Sequence, residues 1–200
     1  MKSNYHHGNL REILVSKSVD ILNEKGVKGL SVRAVAKLAG VSEAAPYSHF
    51  KNKEELLEAV ATQGYIELKR CLDEASVLTD FAMIERLAIG YVSFATENVP
   101  LFRLMFGREL PEQAFSEDYR EVGSQCYESI FAEVARLLDD HDGDTQQTVE
   151  EITTAAWAIV HGLSFLLIDG KVSLPEGELE RRCFIANRCR VITLALSALG

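Results

Sequence analysis

The sequence predicts an all-α fold. Apolar residues recur at helical spacing in almost every segment of the 200-residue chain, and no stretch of useful length alternates polar and apolar as a strand does. Capping signals also stand where the periodic segments begin. With 47% hydrophobic and 26% charged residues, there is enough apolar side chain for a full core.

The elements follow in order. Asn9 and Glu12 form a capping box, and Leu10, Ile13, Leu14, Ile21 and Leu22 then share one helical face as far as Gly26 and Gly29. Ser31 caps a second helix carrying Val32, Val35, Ala36 and Ala39. Gly40 supplies the left-handed residue that ends it, and Val41 fills the angle that follows. Ser42 is the N-cap candidate of a third short helix, expected over Glu43 to Phe50. Pro46 should make its first turn irregular or 3₁₀-like, because it lacks an N–H and disfavours the α conformation at Ala45. Asn52 and Glu55 form a second capping box, opening a long helix to about Leu72 with Leu56, Leu57, Val60, Leu68 and Leu72 as its stripe. Further helices are expected over about Asp80 to Glu97, from Pro100, over Pro111 to Asp139, over Thr148 to Ile168 and over Pro175 to Leu199.

Two short helices joined by a Gly-containing turn, the second ending in aromatic, hydroxyl and basic residues, form the layout of a helix-turn-helix. Charge supports DNA as its partner. Residues 1–53 carry nine Lys and Arg against four Asp and Glu, a surplus of five, while the remainder carries twelve against 26 and stands at −14. The net charge of −9 therefore hides a basic head on an acidic body, and phosphate binding needs only the local surface to be positive.

Other chemistries find no comparable signal. No Ser-His-Asp order, phosphate loop or carboxylate pair argues for an enzyme, so neither catalytic residues nor cofactors are assigned. Asp140, Asp142, Asp144 and Glu151 fall at calcium-loop spacing, but Thr145 occupies the position where that loop needs glycine; an acidic interhelix loop accounts for them and no metal site is assigned. Cys71, Cys126, Cys183 and Cys189 form no CxxC pair and read as reduced, mostly buried thiols, with a redox- or metal-responsive use of them as the alternative. No apolar run approaches the roughly 20 residues that span a bilayer, and the start MKSNYHHGNL lacks a signal-peptide core, so a cytoplasmic protein with no membrane partner is expected. The last two helices are apolar on more than one face, which predicts one face in the core and another against a second copy of the chain.

The run from Ile21 to Val60, with Gly29-Leu30-Ser31, Arg33, Gly40-Val41-Ser42, Tyr47-Ser48-His49-Phe50 and Lys53-Glu54-Glu55-Leu56, resembles the DNA-binding head of TetR-family transcriptional regulators. Tyr5-His6-His7-Gly8, Pro100 to Phe106 and Trp157 to Gly162 are similar to the branch whose regulatory domain carries a Trp-x3-His-Gly helix. The resemblance implies a three-helix head over 1–53 and a ligand-binding, dimerising helical domain over 54–200. It implies that Tyr47, His49 and Lys53 contact the DNA backbone, and that Arg33 meets a phosphate or a base edge. Ser42, Glu43, Ala44, Ala45 and Ser48 would face the groove; most are small and offer no bidentate base contact. Glu43 either accepts from cytosine or complements the helix dipole, the second being favoured.

In that family a small molecule enters the C-terminal domain and releases DNA, while the last two helices form a homodimer. Candidate effector contacts are Phe102, Met105, Phe106, Tyr127, Phe131, Trp157 and His161. The expected protein is thus a homodimeric repressor on a palindromic operator of double-stranded DNA, released by an unidentified small-molecule effector.

Overall fold

The structure is a computed structural model and describes residues 10–110, 115–138 and 146–199, the side chains of 193 and 195–199 excepted. Every regular element among these residues is helical: α1 (Leu10–Gly29), α2 (Val32–Ala39), a 3₁₀ turn (Ala45–Ser48), α3 (Lys53–Ser76), α4 (Met83–Glu97), α5 (Val99–Phe106), α6 (Glu117–Leu138), α7 (Gln146–Ile168) and α8 (Glu178–Leu199). Asn9, Pro111 and the acidic stretch Asp140 to Thr145 lie outside the described residues, and with them the first capping box, the expected start of α6 and the calcium-like spacing.

The chain forms two compact units: residues up to Tyr65 with Pro100–Arg120, and Ile66–Val99 with the residues from Glu121 onward. In the first, α1 bends at Gly26, whose φ of 65° is a left-handed conformation, so the helical run breaks where glycine permits it. Leu14, Leu22, Leu30, Val35, Ala36, Leu56 and Val60 are its buried interior. The α5 segment lies close on α3, since a side chain at Gly64 would collide with Met105 and Leu101. Glu58 accepts from the Ser116 N–H at 2.9 Å.

In the second unit, α4 packs against α7 and α8, which also meet each other. Ten of its fifteen residues are buried, so this helix is the unit's centre. A Cβ at Gly90 would stand 2.6 Å from the Cys71 carbonyl oxygen, the mark of a close approach between α3 and α4. Arg86 clamps the preceding turn by donating to the Phe81 and Ser76 carbonyls.

The structure corrects one composition argument. Gln146–Ile168 is 23 residues long with a mean hydropathy of 1.5 over its most apolar window, long and apolar enough by length and composition alone to cross a bilayer. The sequence reading missed this because Thr, His and Gly interrupt the run without lowering its average much. The core helix of a soluble protein passes the same test, and Thr153, Ala156, Val160 and Ser164 of this helix are buried.

Candidate nucleic-acid interface

The helix-turn-helix is built by local chemistry. The Ser31 hydroxyl accepts from the Ala34 N–H at 3.2 Å, capping α2 as expected. At the other end Gly40 adopts φ 70°, ψ 28°, so that its own N–H reaches the Lys37 carbonyl and the Val41 N–H reaches the Ala36 carbonyl. Both capping residues were legible in the sequence.

The third element differs from the expected helix over Glu43 to Phe50. It is a 3₁₀ turn of four residues whose N-cap is Ala44, with no side-chain capping bond. Pro46 explains the difference. Without an N–H it cannot bond the Ser42 carbonyl, and the Ala45 N–H takes that oxygen instead at 3.0 Å. The Tyr47 N–H then bonds Ala44, and the His49 and Phe50 N–H groups both converge on the Pro46 carbonyl. Pro46 and Phe50 are buried, which pins the turn to the core. The Arg11 guanidinium lies 5.5 Å from the Phe50 ring centre.

This framework presents polar groups outward. Tyr47 is 53% exposed, and Ser42, Glu43, Ala44 and Ser48 are exposed, while Ala45 and His49 are half-buried. The Ser48 hydroxyl donates to the Ala45 carbonyl at 2.7 Å. Lys53 is half-buried and its ammonium donates to the Val27 carbonyl at 3.3 Å, linking the start of α3 to the end of α1. Arg33 and Glu43 meet: Nε and Oε2 are 3.3 Å apart, with side chains 79% and 73% exposed. The sequence reading treated these two residues separately, and ten residues of separation across a turn gave it no pairing signal.

Asn52 caps α3 by accepting from the Glu55 N–H at 2.8 Å. The reciprocal half of that capping box is absent, since the Glu55 carboxylate accepts from the Lys51 N–H and pairs with the Lys51 ammonium. The Lys51 N–H holds this carboxyl below its ordinary range.

The candidate effector residues divide between the units. Phe102 and Met105 are buried in the first, where Phe102 lies 4.8 Å from Phe106 and Tyr65 meets Phe106 edge-on at 5.8 Å. In the second, Trp157 lies 6.3 Å from Tyr127 and 6.0 Å from His161, and Tyr127 lies 6.3 Å from Phe131. Sequence reasoning missed Tyr91, which joins this group: the Trp157 indole N–H donates to its hydroxyl oxygen at 3.2 Å, and the hydroxyl lies 2.9 Å from His161 Nδ1. The direction of the Tyr91–His161 bond follows the tautomer of the imidazole. Burial holds His161 below its ordinary pKa and Tyr91 well above its own. Tyr91 was legible only as the lone phenol in a helix otherwise filled with core residues.

All four cysteines are free thiols. Cys126 and Cys189 are buried, and burial pushes them up to about 12 and about 11; Cys71 is also raised by burial. Protonated, buried thiols such as Cys126 and Cys189 react slowly with oxidants, so a redox role for these two is not favoured, while Cys71 and Cys183 are half-buried.

A capped helix, a glycine turn and an exposed polar third element on a basic head define a DNA-binding helix-turn-helix protein. Comparison with known proteins identifies which kind. Residues 14–60 match the model of bacterial regulatory proteins of the tetR family, and residues 84–184 match that of the tetracyclin repressor-like C-terminal domain. The chain belongs to the TetR family of DNA-binding transcriptional regulators, which are not enzymes.

The tetracycline repressor protein class C of Escherichia coli is 43% identical over 51 residues, 26% of this chain and 23% of that protein, so the chain spans less than a quarter of this relative's length. The uncharacterised helix-turn-helix-type transcriptional regulator YobS of Bacillus subtilis is 22% identical over 178 residues, 88% of each chain. Among solved structures, a protein of unknown function from Rhodococcus sp. RHA1 is 30% identical with a TM-score of 0.75, covering 98% of this chain and 96% of that one. The TetR-family regulator PfmR of Thermus thermophilus shares the fold at 19% identity and a TM-score of 0.62, covering 90% of this chain and 96% of that one.

Proposed function

We propose that this regulator is a cytoplasmic homodimeric repressor, held on a palindromic operator until a small molecule binding the domain over residues 54–200 releases it. The observation that carries the dimer is the surface of the last two helices. Trp157, Leu166, Val191 and Leu194 are 38%, 46%, 53% and 63% exposed on α7 and α8, beside exposed Ala155, Ala158 and Gly162. Large apolar side chains among small residues suit a self-complementary two-fold contact.

Two heads so joined would read half-sites about one helical turn apart. In each head, Arg33, Ser42, Glu43, Ala44, Ala45, Tyr47, Ser48, His49 and Lys53 form the DNA-facing set, with Tyr47, His49 and Lys53 on the backbone. The proposed effector contacts are Tyr127, Phe131, Trp157 and His161 in the second unit, with Phe102, Met105 and Phe106 as the candidates in the first. Effector and operator weaken each other by the same factor, whichever binds first.

Sedimentation tests the dimer. The wild type is expected to sediment as a dimer, and the Val191→Asp/Leu194→Asp variant as a folded monomer with at least about tenfold weaker operator binding, the loss of one head's contribution to avidity. A wild type that is monomeric at full operator occupancy would contradict the proposal. Tyr47→Phe is a milder probe. Loss of one phosphate hydrogen bond per head, each worth about 1–2 kcal/mol, should weaken binding to all duplexes alike by roughly five- to thirtyfold per half-site. A loss confined to one sequence in filter-binding titrations would place Tyr47 on a base instead.

A further inference from the structure

We propose that Glu43 is a specificity-determining residue, which withholds the Arg33 guanidinium from the phosphate backbone and leaves its two terminal nitrogens to a guanine edge. The inference rests on the placement of Arg33 at the DNA face given above and adds a role for its partner.

The turn that follows α2 gives Glu43 no other task. The 3₁₀ segment starts two residues later with Ala44 as its N-cap and has no side-chain capping bond, so Glu43 does not cap it. A four-residue segment also has little dipole for a carboxylate to complement, which removes the role that the sequence reading favoured. Its partner is Arg33, through Nε at 3.3 Å.

The surrounding residues make the pair matter. Ala44, Ala45 and Ser48 are too small to make bidentate base contacts. Arg33 is the nearby group that can make one. A guanidinium has five N–H donors in a rigid fork. With the Glu43 carboxylate beside the Nε edge, 3.3 Å from it, the two terminal nitrogens remain, and their spacing suits O6 and N7 of guanine.

The carboxylate also sets a penalty. Paired, the two side chains are together neutral and gain little from a phosphate, whereas a lone arginine binds phosphate on any sequence. A phosphate approaching Arg33 would also meet the negative charge of Glu43. A guanine edge brings no such repulsion, and the cytosine opposite it offers an N4 amino group to the second carboxylate oxygen. Selectivity thus arises by rejecting the backbone as well as by accepting the base.

The test compares wild type, Glu43→Gln, Arg33→Ala and the double variant. Each is titrated against a duplex selected from a random-sequence library and against an unselected duplex, across salt. Both side chains lie at the surface, and circular dichroism checks that each variant is folded. The expected result for Glu43→Gln is tighter binding to the unselected duplex by about five- to tenfold. The salt slope steepens by about one per head, as a freed guanidinium displaces one more counterion, and selectivity falls at least about tenfold.

These changes should vanish in the Arg33→Ala background. Equal gains on both duplexes, persistence of the gain without Arg33, or no change at all would overturn the role of Glu43. If instead Arg33→Ala leaves the selected duplex bound as before, the placement of Arg33 itself fails, and the inference with it.

Discussion

Arg33→Ala is expected to lower affinity for the selected operator by about 5- to 150-fold per half-site while changing affinity for unselected DNA far less. The range is that of one bidentate base contact, about 1–3 kcal/mol. The head makes this residue unusually important. Its third element is a 3₁₀ turn whose outward residues other than Tyr47 are small, so readout by side chains falls on few groups. Competition titrations with labelled operator measure the ratio directly. A uniform loss on both duplexes would move Arg33 to the phosphate backbone.

Phe94→Ala is expected to be the most destabilising single truncation in the second unit. Phe94 is fully buried in the last turn of α4, the helix against which α7 and α8 pack. Truncating a buried phenylalanine to alanine costs about 3–5 kcal/mol, because transfer and cavity terms add. In a chain of this size that corresponds to a melting temperature lower by roughly 6–20 °C. Thermal unfolding followed by circular dichroism reads it. A shift under about 3 °C would mean that the site collapses around the missing ring, and that α4 is not the unit's rigid centre. The same variant should bind operator normally at temperatures where it remains folded, since none of the proposed DNA contacts touches it.

What could be read from the sequence was local. Ser31 and Gly40 were identified because a cap and a left-handed residue act through their immediate neighbours, and the structure places both as expected. Pro46 was read halfway. Its missing N–H predicted an irregular first turn, but the whole element proved to be 3₁₀, because with only four residues no α-helical turn follows the perturbed one. Glu55 was recognised as a capping residue, yet its carboxylate chose the Lys51 N–H over that of Asn52. Two candidate backbone donors one residue apart are not distinguishable by spacing.

Helix starts shifted for the same reason. The fourth helix begins at Met83 rather than near Asp80, where the Ala82 N–H meets the Glu85 carboxylate, and the last begins at Glu178 rather than Pro175. Pairings distant in the chain were illegible. Arg33 with Glu43, and Tyr91 with Trp157 and His161, depend on how elements pack, and periodicity carries no record of that. The exposed apolar faces of α7 and α8 were anticipated because an all-round apolar helix needs a second partner, whatever the details of its packing.

The central claim is that this TetR-family protein is a dimeric regulator of a specific operator. The most direct test is selection of bound fragments from the source genome, followed by titration of the recovered site across salt concentration. An enriched palindrome is predicted, with a slope of log affinity against log salt steeper than about −2, since each neutralised phosphate contributes about −0.9 and two heads act together. Absence of any enriched site for protein shown to be folded and dimeric would contradict the account.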